Sequence, residues 1–286
     1  MLAWCVVAAL VSVSSSVALG ESVNCASSIV SAGLNFTCEI SNRSAGLRCW
    51  GDGSYGALGL GTRSSIGIPA AQLRNVSVDL GSGRRVVAVS AGVQYACAIL
   101  STLELKCWGT NGYGQLGVGD TKTRGDDPGE MGDALAAVSL GTGRGAVAVC
   151  AGAYHTCAIL NTGELKCWGY NDHGQLGQGD TSDRGDDPGE MGDALAAVDL
   201  GMGRTAVAVV AGMYHTCALL DTREVKCWGR GGYLGVGDMF DSGDKGGQMG
   251  SALPPLFFGD GRTATSISAG FGLTCAVRSQ LLPTPS

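Results

Sequence analysis

The chain has 286 residues, enough for one large or two modest domains with a buried core, and 48 of them are glycine. Turns must therefore be frequent, and the scarcity of long glycine-free runs argues against a helical bundle. The net charge is −6 with a pI of about 5.0 and no basic patch stands out, so duplex nucleic acid and anionic membranes are poor partners.

The N-terminus reads as a leader. An apolar run from Leu2 to Val13 is followed by Ser14 to Ser16 and then Ala18-Leu19-Gly20, which predicts a signal peptide over residues 1–20 and a single mature domain over residues 21–286. No later apolar stretch approaches the ~20 residues of a membrane helix, so no membrane span is expected. Twelve cysteines are many for a reducing compartment. Three glycosylation sequons begin at Asn35, Asn42 and Asn75 and are consistent with secretion.

Beyond the leader, the sequence repeats itself. The segment Ala151 to Leu160 recurs as Ala91 to Leu100 and Ala211 to Leu220, with looser copies at Ala32 to Ser41 and from Ala269. Cys38, Cys97, Cys157, Cys217 and Cys275 then mark a period of about 60 residues. The units fall at about 29–85, 86–145, 146–205, 206–263 and a partial 264–278. Each holds short apolar runs bounded by turn residues, such as Ala146 to Val149, His155 to Leu160 and Glu164 to Trp168, and so reads as antiparallel strands.

Between the second and third runs, Asn161-Thr162-Gly163 is a hairpin turn. With Thr162 at its centre, Cys157 and Cys167 stand opposite one another, close enough for a disulfide. The same spacing predicts Cys97–Cys107 and Cys217–Cys227, and a hairpin one residue longer predicts Cys38–Cys49. Clustered Cys-x-x-Cys pairs are lacking, so no metal site is expected. Cys25, in Val23-Asn24-Cys25-Ala26, is a candidate partner for Cys275 in a bond that would complete the last unit. Cys150 aligns with Ser90 and Ser268 and is expected to be a buried thiol.

Each cysteine pair leads into a phrase such as Cys167-Trp168-Gly169-Tyr170-Asn171-Asp172-His173-Gly174-Gln175-Leu176-Gly177, echoed from Cys107 to Gly117 and loosely from Cys49 to Gly59. With the preceding Ala-Gly-x-x-His-Thr-x-Ala segment, this resembles the regulator of chromosome condensation repeat, over roughly residues 29–278. The resemblance implies an all-β fold, a β-propeller of about five blades, incomplete or truncated relative to the usual seven. Family members with nucleotide-exchange or chromatin roles are intracellular, and no exchange residue maps onto a numbered position of this chain.

The remaining motifs have structural readings. Gly112 to Gly117 matches G-x-G-x-x-G but no βαβ unit surrounds it, so no nucleotide cofactor is expected. His155 and His215 occupy the same register beside hairpin cysteines and read as packing residues. Trp50, Trp108, Trp168 and Trp228 each follow a cysteine and so face the opposite side of their strand, where they pack between blades. Arg124-Gly125-Asp126 and Arg184-Gly185-Asp186 match the adhesion tripeptide but lie in copied segments. Around them the carboxylates are dense; their spacing is not that of an EF-hand, which leaves calcium the weaker reading and a solvated acidic loop the stronger.

The composite expectation is a secreted or cell-surface binding module without enzymatic activity, meeting a protein partner through exposed loops whose candidate contacts are Asp126, Asp127, Glu130, Asp186, Asp187 and Glu190. The alternative is an intracellular exchange or chromatin factor of cytoplasm or nucleus.

Overall fold

The computed structural model describes residues 29–41, 46–67, 77–237 and 239–279. Its strands are grouped in sequence order: β1 (Val30–Ala32), β2 (Phe36–Ile40) and β3 (Leu47–Gly51); β4 (Val86–Ala91), β5 (Tyr95–Leu100) and β6 (Leu105–Gly109); β7 (Ala146–Ala151), β8 (His155–Leu160) and β9 (Leu165–Gly169); β10 (Ala206–Ala211), β11 (His215–Leu220) and β12 (Val225–Gly229); β13 (Ala264–Ala269) and β14 (Thr274–Arg278). The first four groups are three-stranded antiparallel sheets and the last is two-stranded. Successive first strands β1, β4, β7, β10 and β13 lie against one another, so the sheets radiate as propeller blades from a common axis; among the described residues the ring does not close.

Hairpin register follows the cysteines. Cys38 faces Cys49, Cys97 faces Cys107, Cys157 faces Cys167 and Cys217 faces Cys227. All four pairs are disulfides with Cα atoms 4.1 Å apart. The turn at Gly163 has φ +84°, which glycine adopts without strain, yet Leu103 and Arg223 take the same left-handed conformation at the equivalent positions.

The middle strands β5, β8 and β11 are buried along their whole length, because a blade is covered on both faces by its neighbours. The faces are complementary. Cys97, Ile99, Leu105 and Cys107 of the second blade pack with Ala158, Leu160 and Trp168 of the third, so the disulfide side of one blade meets the tryptophan side of the next. Trp108, Trp168 and Trp228 are fully buried, and each donates its indole N–H to a carbonyl of the preceding blade: Ala57 at 3.0 Å, Gln115 at 3.1 Å and Gln175 at 3.0 Å. Gly117 permits this approach, since a Cβ there would lie 2.6 Å from the Trp168 nitrogen.

Near the axis a second link repeats. Ser31 Oγ accepts the Ala91 N–H, Ser90 Oγ accepts that of Ala151, and Cys150 Sγ accepts that of Ala211 at 3.2 Å. Cys150 is buried as expected.

Lysines complete the scaffold. Lys106, Lys166 and Lys226 are buried, and each ammonium donates to two backbone carbonyls: Leu80 and Gly132, Leu140 and Gly192, Leu200 and Gly250. Burial holds the Lys106 and Lys166 amines below the usual lysine range.

Candidate functional site

One end of each blade carries both the turn between its first two strands and the exit from its third. His155 pairs with Gly169 at that end, so Tyr154 and Tyr170 emerge side by side, the Tyr170 N–H donating to the Tyr154 carbonyl at 3.0 Å. The fourth blade presents Tyr214 and Arg230 in the same way, with the Arg230 N–H donating to the Tyr214 carbonyl at 2.8 Å. In the second blade the pair is Gln94 and Thr110, and Tyr113 follows three residues later.

These side chains meet across the blades. Tyr113 lies 4.7 Å from Tyr170 and 5.6 Å from Tyr154 between ring centroids, and Tyr214 lies 5.9 Å from Tyr170 and 6.4 Å from Tyr154. The Arg230 guanidinium sits 5.7 Å from the Tyr214 centroid and 5.3 Å from that of Tyr233. The result is a tyrosine strip over three blades, with Tyr113 exposed and the other rings partly so.

Carboxylates border the strip. The Tyr170 hydroxyl donates to exposed Asp172 at 2.7 Å, and His173 Nδ1 pairs with Asp241 at 2.8 Å. Burial, then this bond to Asp172, pushes the Tyr170 phenol upward. Asp183 accepts the Asn171 N–H; burial first, then the charges of Asp186, Asp172 and Glu190, raise it to about 6.

The acidic loops lie along the outer blade edges. Gly109 pairs with Arg124, and the Leu105 carbonyl accepts the Val138 N–H, so residues 124–138 run beside β6. The expected exposure holds for Asp127 and Asp187 only. Asp126 is 7 % exposed and accepts Arg63 of the preceding blade at 2.8 Å, while Asp186 is half-buried. Glu130 spends one oxygen on the backbone N–H groups of Gly125, Asp126 and Asp127, and Glu190 does the same for Gly185 and Asp187. Arg124 and Arg184 fold back onto Asp120 and Asp180 at 2.7 Å. The Arg-Gly-Asp tripeptides are thus engaged within the protein, because the loop uses them to join adjacent blades.

Asn35 is exposed, at the position equivalent to Tyr154 and Tyr214. Asn42, Asn75 and Cys25 lie outside the described residues, as does the predicted leader; Cys275 is exposed. His155 and His215 are buried between blades, where their Nε2 atoms pair with Thr216 and Thr274 at 2.8 Å. Among the described residues no three His, Cys, Asp or Glu side chains gather as a metal site, and no helix is long and apolar enough to cross a membrane.

The tyrosines and the buried lysines were not singled out by sequence reasoning. Tyr154 and Tyr214 do share a repeat position, and a lysine immediately ahead of the Cys-Trp-Gly triplet recurs in three units, so a register-by-register alignment of the units exposes both signals.

The regulator of chromosome condensation (RCC1) repeat matches residues 49–99, 107–159 and 162–219, and a second model of that repeat matches residues 86–115, 146–175 and 206–233. The chain is 29 % identical over 217 residues to the Ultraviolet-B receptor UVR8 of Arabidopsis thaliana, covering 74 % of this chain and 44 % of the receptor. It is 32 % identical over 133 residues to the human E3 ubiquitin-protein ligase HERC2, covering 46 % of this chain and 2 % of the ligase. Human WBSCR16 superposes with a TM-score of 0.64 at 17 % identity, covering 93 % of this chain and 60 % of that one. Prp20p of Saccharomyces cerevisiae gives 0.63 at 16 %, covering 93 % and 58 %. The chain therefore spans less than half of these curated relatives and about three-fifths of these structures. Since the repeat matches more than half of the residues and follows the strand period, the chain belongs to the regulator of chromosome condensation (RCC1) repeat family.

Proposed function

We propose that the protein is an extracellular binding module whose disulfide-braced blades hold the tyrosine strip rigid for a protein partner. The strip carries this reading. Tyrosine and arginine supply large contact area at low conformational cost, and such residues dominate the energetic centres of protein interfaces. The four disulfides support an oxidising compartment. Asp127 and Asp187, exposed on the outer-edge loops, would extend the contact outward. Glu130, Glu190, Asp126 and Asp186 shape those loops.

An intracellular regulatory role is the second reading, favoured by the structural likeness to Prp20p, a protein with binding properties toward Gsp1p and histones. Compartment separates the two. Expression with the natural N-terminus in a secretory cell should deliver protein to the medium with Cys38, Cys49, Cys97, Cys107, Cys157, Cys167, Cys217 and Cys227 closed to alkylation. Crosslinking of that protein to cell surfaces should fall in the Tyr154→Ala/Tyr170→Ala variant and persist in an Asp221→Asn variant at the opposite end. Retention in the cytosol with reactive thiols, or crosslinking untouched by the tyrosine changes, would reject the proposal.

A further inference from the structure

We infer that the tyrosine strip is a receptor for a cationic side chain, arginine or lysine, carried on a partner's extended segment. The inference rests on the binding reading above and adds the chemistry of what is bound. The strip already holds one cation. Arg230 lies over Tyr214 and Tyr233 at 5.7 and 5.3 Å, and these are the cation–ring contacts found on the tyrosines among the described residues. The other half, Tyr113, Tyr154 and Tyr170, repeats the aromatic arrangement with no guanidinium over it among the described residues.

What borders that half is negative. Asp172 is exposed and anchored to the Tyr170 hydroxyl, so a carboxylate stands beside the rings where a stacked guanidinium would direct its N–H groups. Asp127 and Asp187 on the outer-edge loops are also exposed, and the whole chain carries a net charge of −6. An acidic partner would meet repulsion there, and a neutral one would leave Asp172 without a counter-charge.

The probes are a peptide of three arginines alternating with glycine and the same peptide with citrulline, which keeps the planar shape and loses the charge. They are titrated into the intact protein and followed by the ring signals of the tyrosines in nuclear magnetic resonance. The arginine peptide should shift Tyr113, Tyr154 and Tyr170 and the citrulline peptide should not. Tyr113→Ala should weaken binding about two- to thirtyfold, the range of a cation–π contact between exposed and desolvated settings. Tyr113→Phe should stay within about twofold, since the ring is retained. Asp172→Asn should weaken binding where Asp221→Asn, an equal change of net charge at the opposite end, does not.

Equal binding of the citrulline peptide, preferential binding of a polyglutamate or chito-oligosaccharide probe, or an unaltered affinity in Tyr113→Ala would overturn the inference. The two failures are separable. If the tyrosine variants lower surface crosslinking but no cationic peptide binds, the inference fails and the binding module stands; if the peptide binds but crosslinking is unchanged, the proposed function fails.

Discussion

Acid should loosen the third and fourth blades through two histidines. Burial, then the charge of His215, depresses His155 to about 3, and burial depresses His215 to about 4. Each ring has its Nδ1 buried without a hydrogen-bond partner, so the folded state disfavours the second proton. In the unfolded chain a histidine takes up that proton near pH 6.5, so each contribution to stability is complete above that value and is lost as pH falls toward 3–4. At pH 5 the loss is about 2 kcal/mol for each histidine, from the 1.36 kcal/mol per unit relation. Asp183, raised to about 6, acts in the opposite direction over part of this window, so the measurement should be a difference.

The second blade shows the replacement: at the position equivalent to His155, Tyr95 donates its hydroxyl to the His155 carbonyl at 2.6 Å and accepts Thr156 Oγ1 at 3.0 Å. His155→Tyr should therefore keep the inter-blade link and remove one titrating group. Thermal melts of both proteins from pH 7 to 4.5 should diverge, with the variant retaining about 4–8 °C more of its Tm at pH 5, from about 2 kcal/mol at 2–4 °C each for a domain of this size. Parallel Tm-versus-pH curves would refute the assignment of acid lability to His155.

Three further outcomes follow from comparing blades. Lys166→Met leaves the buried Leu140 and Gly192 carbonyls without their charged donor and should cost about 2–4 kcal/mol in denaturant unfolding, whereas a loss below about 0.5 kcal/mol would mean the ammonium does not hold those turns. Asp186 lacks the arginine that Asp126 enjoys, since the residue equivalent to Arg63 is Thr121; Thr121→Arg should raise stability by about 0.5–1 kcal/mol at low salt and less at high salt. Arg223 has φ +68° where the third blade has Gly163, so Arg223→Gly should raise the melting temperature by relieving about 1 kcal/mol, and a lowered one would count against that strain.

The strands and their pairing were legible because both are local. A 60-residue period with cysteines at fixed offsets around a glycine turn specifies a hairpin and its register without reference to anything distant. The tyrosine strip was not legible in that way: Tyr113, Tyr154, Tyr170 and Tyr214 come from different loops of three units and converge only when blades stand side by side. Lys106, Lys166 and Lys226 were hidden for another reason. A lysine on a strand reads as a solvent-facing residue, but these strands are covered on both faces, so the charged end had to find carbonyls inside. The acidic loops show the converse error. Their carboxylates suggest a surface for partners, whereas Glu130, Glu190 and Asp126 are consumed by backbone donors and Arg63.

The indole hydrogen bonds give the array a direction. Every Trp108-type contact points from a blade to the one before it, and the fifth unit has no such tryptophan among its described residues. Each blade is therefore a tongue toward its predecessor and a socket toward its successor, and any unit with the same two faces can be inserted or removed between neighbours without redesigning either. The fifth blade, joined without an indole among its described residues and with β14 largely exposed, should exchange its amide protons before the buried middle blades do.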